Sequence, residues 1–222
     1  ELQRRVVERI SATGACVTCA EVTLQPEQLD AVPANPRQLE KYPPSSTKTG
    51  QRLLRLWKAR EKLWNSSLEL EATLGLSYDL AMWARDDAVW LGDVPRPGEL
   101  LAAPSAPRTL WSRTCRGFGG LNDKVAIFGR EAAPTLMTLY SSFLRGGLPT
   151  NSTNAERYLL GVARSADLVV QTLPFERLPE ASAMLMNNLS LCTFRHYWCG
   201  EGLPSGGGLS GFCEDAAQER DT

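Results

Sequence analysis

The chain has 222 residues, 43% of them hydrophobic and 22% charged, with a formal net charge of −1. That length and mixture suit a packed globular core and exclude collagen-like repeats, a coiled coil and a disordered chain. Balanced charge gives no long-range pull on a phosphate backbone, which excludes nucleic acid as an expected partner, and no apolar run reaches the roughly 18–20 residues of a membrane span.

In chain order, Val6, Val7 and Ile10 lie among charges in residues 1–15, a pattern that predicts a short helix ended by Thr13-Gly14. From Val22 to Ser46 the prolines at 26, 33, 36, 43 and 44 remove backbone donors and predict an extended arm. Between Gln51 and Leu70, Leu53, Leu56, Trp57, Leu63 and Trp64 recur at three- and four-residue steps, the mark of an amphipathic helix. A second helix is predicted from an N-cap at Ser77 to Gly92, with Leu80, Trp83, Ala84 and Leu91 as its stripe. Residues 93–108, with prolines at 95, 97, 104 and 107, read as a loop.

Leu110 to Phe128 mixes aromatic and β-branched residues with glycines, which predicts strand and turn around Cys115. Pro134 suits the first turn of a helix carrying Leu136, Met137, Tyr140, Phe143 and Leu144, with Gly146-Gly147 at its end. Thr153 and Glu156 have the spacing of a capping box ahead of Tyr158 to Val162, so a further helix is expected there. Asp167–Leu173 reads as a strand and Ala183–Cys199 as a longer one. Gly200 to Gly211 is a glycine-rich loop or hairpin, and a polar tail runs from Glu214 to Thr222.

The cysteines Cys16, Cys19, Cys115, Cys192, Cys199 and Cys213 are even in number and gathered towards the two ends of the chain, as expected of three disulfides of open connectivity. Asn65-Ser-Ser, Asn151-Ser-Thr and Asn188-Leu-Ser fit the N-glycosylation acceptor pattern. Both features belong to the secretory pathway, where disulfides persist and glycans are attached. The start at Glu1, with no apolar targeting segment, reads as a processed chain.

Motifs for chemistry are few. Cys16-Val-Thr-Cys19 has the spacing of a redox dithiol, but a proline-broken arm follows it where a helix is needed. Cys16, Cys19, His196 and Cys199 make up a Cys₃His zinc set on paper, although the second half lacks the tight pair and two cysteines are left over, so no metal and no cofactor is expected. His196 is the single histidine. It stands in a strand pattern beside Tyr197 and Trp198, with no nucleophile elbow in the chain, and reads as a packed or surface residue. Asp86-Asp87 and Glu69-x-Glu71 point to different faces of a helix and read as solvated acids, not a hydrolytic pair. Gly206-Gly-Gly208 lacks the lysine of a phosphate loop. Trp57, Trp64, Trp83 and Trp90 recur every seven residues within the two expected helices, which predicts core packing ahead of a carbohydrate platform. No catalytic residue is therefore expected.

Two patterns carry a family resemblance. Leu189-Ser-Leu-Cys192, Cys199 and the glycine-rich run to Cys213 resemble the terminal cysteine arrangement of the CAP superfamily of cysteine-rich secretory, antigen 5 and pathogenesis-related proteins. Leu74 to Ala84, following an amphipathic helix, resembles the CAP loop that leads into a helix with alanines against the sheet, and TA4-type surface antigens of coccidian parasites are similar in design. The resemblance implies an α+β domain built as a three-layer α-β-α sandwich, stapled by disulfides and placed outside the cell. It implies no activity, because many CAP members hold a metal with two histidines and acidic partners, and this chain has one histidine placed elsewhere.

The expected organisation is an N-terminal helix and extended arm packing on the domain over residues 1–50, the α+β domain over 51–213 and a disordered tail over 214–222. The expected function is a secreted or cell-surface antigen or adhesion protein that binds a host or partner macromolecule without catalysis, attached to a membrane only through an anchor since removed. A secreted hydrolase using His196 and an extracellular carrier of lipid or another small ligand are the alternatives.

Overall fold

The computed structural model describes residues 2–12, 39, 41, 43, 46–85, 88–115, 117–146, 152–185, 191–194 and 211–214. They form a mixed α+β fold with two four-stranded sheets. Helix α1 (Leu2–Ser11) bears out the short N-terminal helix. The arm expected over 22–46 lies mostly outside the described residues. Leu39 is fully buried in the main core, and the Lys41 N–H donates to the Thr153 carbonyl at 3.1 Å.

Helix α2 (Lys48–Leu74) is longer than its apolar stripe predicts because both ends are capped. The Thr47 hydroxyl accepts from the Gly50 N–H at 3.0 Å, and Gly75, at φ 65°, closes the last turn by donating its N–H to the Glu71 carbonyl. Its inward face seats Leu54, Trp57 and Trp64. Trp57 stacks on Tyr158 at 5.3 Å and meets Phe143 edge-on at 5.4 Å. This aromatic cluster sits at the centre of the larger core.

The helix expected over 77–92 is instead two strands, β1 (Leu80–Ala84) and β2 (Ala88–Trp90). Ser77 caps nothing there, and the neighbouring Tyr78 N–H is donated to the Glu71 carboxylate at 2.7 Å. Over five residues a helical and an alternating pattern overlap, and tertiary pairing decides. Trp83 turns into the core, edge-on to Phe128 at 4.6 Å, while its neighbour Met82 is exposed. Trp83 and Trp90 therefore lie on strands, not on one helical stripe.

The 93–108 loop contains a short helix, α3 (Pro97–Leu101), and one 3₁₀ turn at Ala106–Arg108. Strands β3 (Thr109–Arg113) and β4 (Val125–Gly129) bear out the strand reading around Cys115. Every residue of both is buried, as for central strands covered on two faces. Gly129 is required at the end of β4, since a Cβ there would lie 1.8 Å from the Ala106 carbonyl oxygen.

The helix expected from Pro134 is broken at Thr138 into α4 (Ala133–Met137) and α5 (Leu139–Leu144). Helix α6 (Ala155–Ser165) is capped by Asn154, one residue beyond the predicted Thr153. The Asn154 Oδ1 accepts from the Arg157 N–H at 2.9 Å, and its amide also donates to the Phe118 carbonyl at 3.1 Å. Strand β5 (Val169–Leu173) appears as expected. The long strand expected over 183–199 is two, β6 (Glu180–Leu185) and β7 (Leu191–Phe194), paired antiparallel, so the chain reverses between them. Strand β8 (Gly211–Glu214) takes in the first residue assigned to the tail.

The first sheet runs β1-β4-β3-β5, antiparallel except for the parallel β3–β5 pair. The second runs β2-β6-β7-β8, all antiparallel. Trp83, Leu110, Ala126 and Phe128 face the helices α2, α4, α5 and α6. Trp111, Val125 and Ile127 face a second core with Leu100 of α3, Leu178 and Trp90. A buried ion pair, Arg113 to Glu180 at 2.8 Å, ties β3 of the first sheet to β6 of the second.

Candidate functional site

A cleft of about 520 Å³ lies between α2 and β1, with Ala133 and Met137 of α4 also lining it. Helix α2 supplies one wall through Leu56, Ala59, Arg60 and Leu63, and every residue from Leu80 to Arg85 lines the other. Leu63 is 59% exposed and Met82 48% exposed, so both present apolar surface to solvent. A volume of this size falls in the range of ordinary ligand sites, roughly 300–1,000 Å³.

Three arginines, Arg60, Arg85 and Arg130, line the cleft, and among the described residues no carboxylate, histidine or cysteine does. Arg130 is fixed by a two-pronged contact with Glu71 at 2.6 and 2.7 Å and lies 5.3 Å from the Trp64 ring centre. Glu71 is 6% exposed, so the expectation of a solvated helix acid fails for it. It holds for Glu69, two residues along and exposed. The N–H of Tyr78 first, and Arg130 second, hold the Glu71 carboxyl below the usual range against the opposing effect of burial.

Arg60 differs from Arg130. It is 7% exposed, donates from Nη2 to the Asp123 carbonyl at 2.9 Å and lies 3.8 Å over the Trp83 ring. It forms no ion pair with a described residue, and its Nη1 and the Trp83 Nε1 are buried without a hydrogen-bond acceptor. Burial pulls the Arg60 pKa down to about 10, with nearby Asp123 raising it and Arg85 lowering it. The group keeps its charge at neutral pH, and a buried cation with a spare donor gains from any anion brought beside it.

A second feature lies near the N-terminus of α6. Phe118 has φ 43° and is 62% exposed. Positive φ is strained for a bulky residue, and the aromatic ring here lies exposed.

No family model matches the chain. Nor does any curated protein or solved structure.

Of the sequence-derived sites, Asn65 is exposed on α2, on the side of the helix away from the cleft. Asn151 and Asn188 lie outside the described residues; Ser152 of the Asn151 acceptor triplet is 5% exposed. Cys115 is disulfide-bonded and 8% exposed. Cys192 and Cys213 stand opposite each other in the β7–β8 register. Cys16, Cys19, Cys199, His196, Asp86, Asp87 and Gly206–Gly208 lie outside the described residues. Among the described residues no three metal-ligating side chains come together, and no helix is long and apolar enough to cross a membrane. Trp57, Trp64 and Trp83 are core residues. Sequence reading missed the cleft, whose one signal was the row of positives from Arg52 to Lys62 on an otherwise amphipathic helix.

Proposed function

We propose that the chain is a non-enzymatic extracellular or cell-surface binding protein, an antigen or adhesion module of CAP-like α-β-α architecture stapled by disulfides, whose recognition site for a partner macromolecule is the α2–β1 cleft. The observation that carries this reading is the pairing of apolar walls with Arg60, a buried cation without an ion pair among the described residues. Among its described lining residues the cleft offers donors and greasy surface but no carboxylate or imidazole to act as a general base, a composition suited to holding a partner. Helices covering one face of the first sheet, with α3 and Trp90 over the other, are in keeping with a layered CAP-like arrangement. The bonded Cys115 and the exposed Asn65 acceptor site are in keeping with the secretory pathway.

Saturable attachment of the purified chain to cell surfaces or to an immobilised protein and glycan panel is the expected result, lost on Leu63→Asp, an exposed change that leaves the core alone. Attachment unaffected by Leu63→Asp would remove the cleft from the reading. The apolar walls also favour a second reading, an extracellular carrier of a small apolar ligand. Native mass spectrometry of gently purified protein then finds a bound lipid, and finding none counts against it.

A further inference from the structure

β1 is the outermost strand of its sheet, with β4 on its inner side and no described strand on the other. The register sets Arg85 opposite Lys124, and the Arg85 N–H donates to the Lys124 carbonyl at 3.1 Å. Hydrogen-bonded pairs alternate along an antiparallel ladder, so Trp83 and Ala81 also turn their backbone groups towards β4. Leu80, Met82 and Ala84 then direct their N–H and C=O groups outward. All three line the cleft, as do the residues between them, the pattern of a strand seen edge-on. Five residues of strand span about 17 Å, enough to pair with a peptide of similar length.

We infer that the cleft takes an extended acidic segment of a partner protein, which adds to β1 as a fifth strand and sets a carboxylate beside Arg60. This rests on the reading of the cleft as the recognition site and names the chemistry of its occupant. An open strand edge facing a helix across an apolar groove is the setting in which peptides bind by strand addition, main-chain bonds supplying affinity and side-chain pockets supplying choice. Pairing would satisfy the backbone groups that an open edge otherwise leaves as a liability. The charge decides the sequence. With Arg60 unpaired by any described carboxylate and no acid among the described lining residues, a Glu or Asp in the segment is favoured and a Lys is rejected. A small amphiphilic anion would use Arg60 and the apolar walls but leave the edge of β1 unpaired.

The test begins with random octapeptides displayed on phage and selected on the purified full chain. Selected peptides are expected to carry an acidic residue among β-branched or aromatic neighbours. Their synthetic versions are expected to slow amide hydrogen exchange at Met82 and Ala84 at least tenfold. Ala84→Pro removes one outward N–H and no bond to β4, and is expected to weaken binding about tenfold. Arg60→Gln is expected to weaken the acidic peptides about tenfold and to leave their Gln-for-Glu analogues unchanged. Should Ala84→Pro fail to fold, methylation of alternate peptide nitrogens tests the same bonds from the other side. Selection of no peptide, preference for Lys, or unchanged exchange at Met82 and Ala84 overturns the inference. So does binding of sodium laurate without binding of any peptide, which favours the carrier. Cell attachment lost with Leu63→Asp but kept with Ala84→Pro keeps the cleft as the site and rejects strand addition; attachment kept with both rejects the site itself.

Discussion

Replacing Arg113 with methionine is expected to destabilise the fold by about 3–5 kcal/mol, a large share of a typical domain stability of about 5–15 kcal/mol. The magnitude follows from where the pair lies. The Arg113 side chain is 2% exposed and that of Glu180 is not exposed at all, with Nη1 and Oε2 at 2.8 Å. Arg113 also donates to the Glu180 main-chain carbonyl, so one guanidinium serves both the charge and the backbone of the neighbouring strand. The Glu180 carboxylate oxygens accept no hydrogen bond from another described group, so removing Arg113 leaves a buried acid without its charge partner. Replacing both residues, as Arg113→Met with Glu180→Leu, removes two desolvated charges together and is expected to return to within about 1 kcal/mol of the parent. Urea unfolding followed by tryptophan fluorescence and by circular dichroism gives the four corners of the cycle. The expected coupling energy is at least about 3 kcal/mol. A double variant as unstable as the sum of the singles would refute the argument that the pair, and not either side chain alone, joins the two sheets.

Glu71→Gln is expected to remove part of the acid sensitivity of folding. The Glu71 carboxyl is held below its ordinary value, so its contribution is present above the unfolded-state pKa of about 4.3 and is lost as pH falls through the lower folded value; urea midpoints from pH 7 to pH 3 for parent and variant check this. Gly129→Ala places a methyl against the Ala106 carbonyl and is expected to cost about 3 kcal/mol, read in the same unfolding assay. Phe118→Gly relieves the backbone at φ 43° and is expected to stabilise by about 1 kcal/mol, and thermal melts that show a loss instead would mean that the ring contributes to the fold.

How much of this was legible in the sequence depends on how far away the deciding partner lies. Helix α2 was readable over Gln51–Leu70 because its stripe runs for several turns, while the turns added by the caps at Thr47 and Gly75 were not. Strand β4 falls at the end of the stretch from Leu110 to Phe128, read as strand and turn from its aromatic and β-branched residues. Residues 80–84 were not, since Leu80, Trp83 and Ala84 satisfy a helical spacing as well as a strand, and what settles the matter is β4, more than forty residues on. Glu71 was misread for the same reason: its partner Arg130 is 59 residues away, and no periodicity announces it. Trp57, Trp64 and Trp83 were assigned correctly to the core, because burial of a large ring is a property of composition more than of register, while Trp90 is only partly buried.

Arg60 joins these threads. A sequence reading sees one more positive charge on an amphipathic helix, yet folding places it over Trp83, away from water and without an ion pair to a described residue. Its burial costs stability, and the spare donor on Nη1 is not used by any described group. If the residue served packing alone, methionine would fill the place as well. Arg60→Met is therefore expected to leave the unfolding midpoint unchanged or to raise the stability by about 1 kcal/mol, while weakening attachment through the cleft about tenfold or more. Calorimetric melts and the cell-attachment assay, run on the same preparation, separate the two effects. A variant that loses stability and attachment in parallel would make Arg60 a structural residue and leave the cleft without its anion partner; one that loses attachment alone places the cost of the buried charge at the site of binding, where a residue held against its own solvation is expected to act.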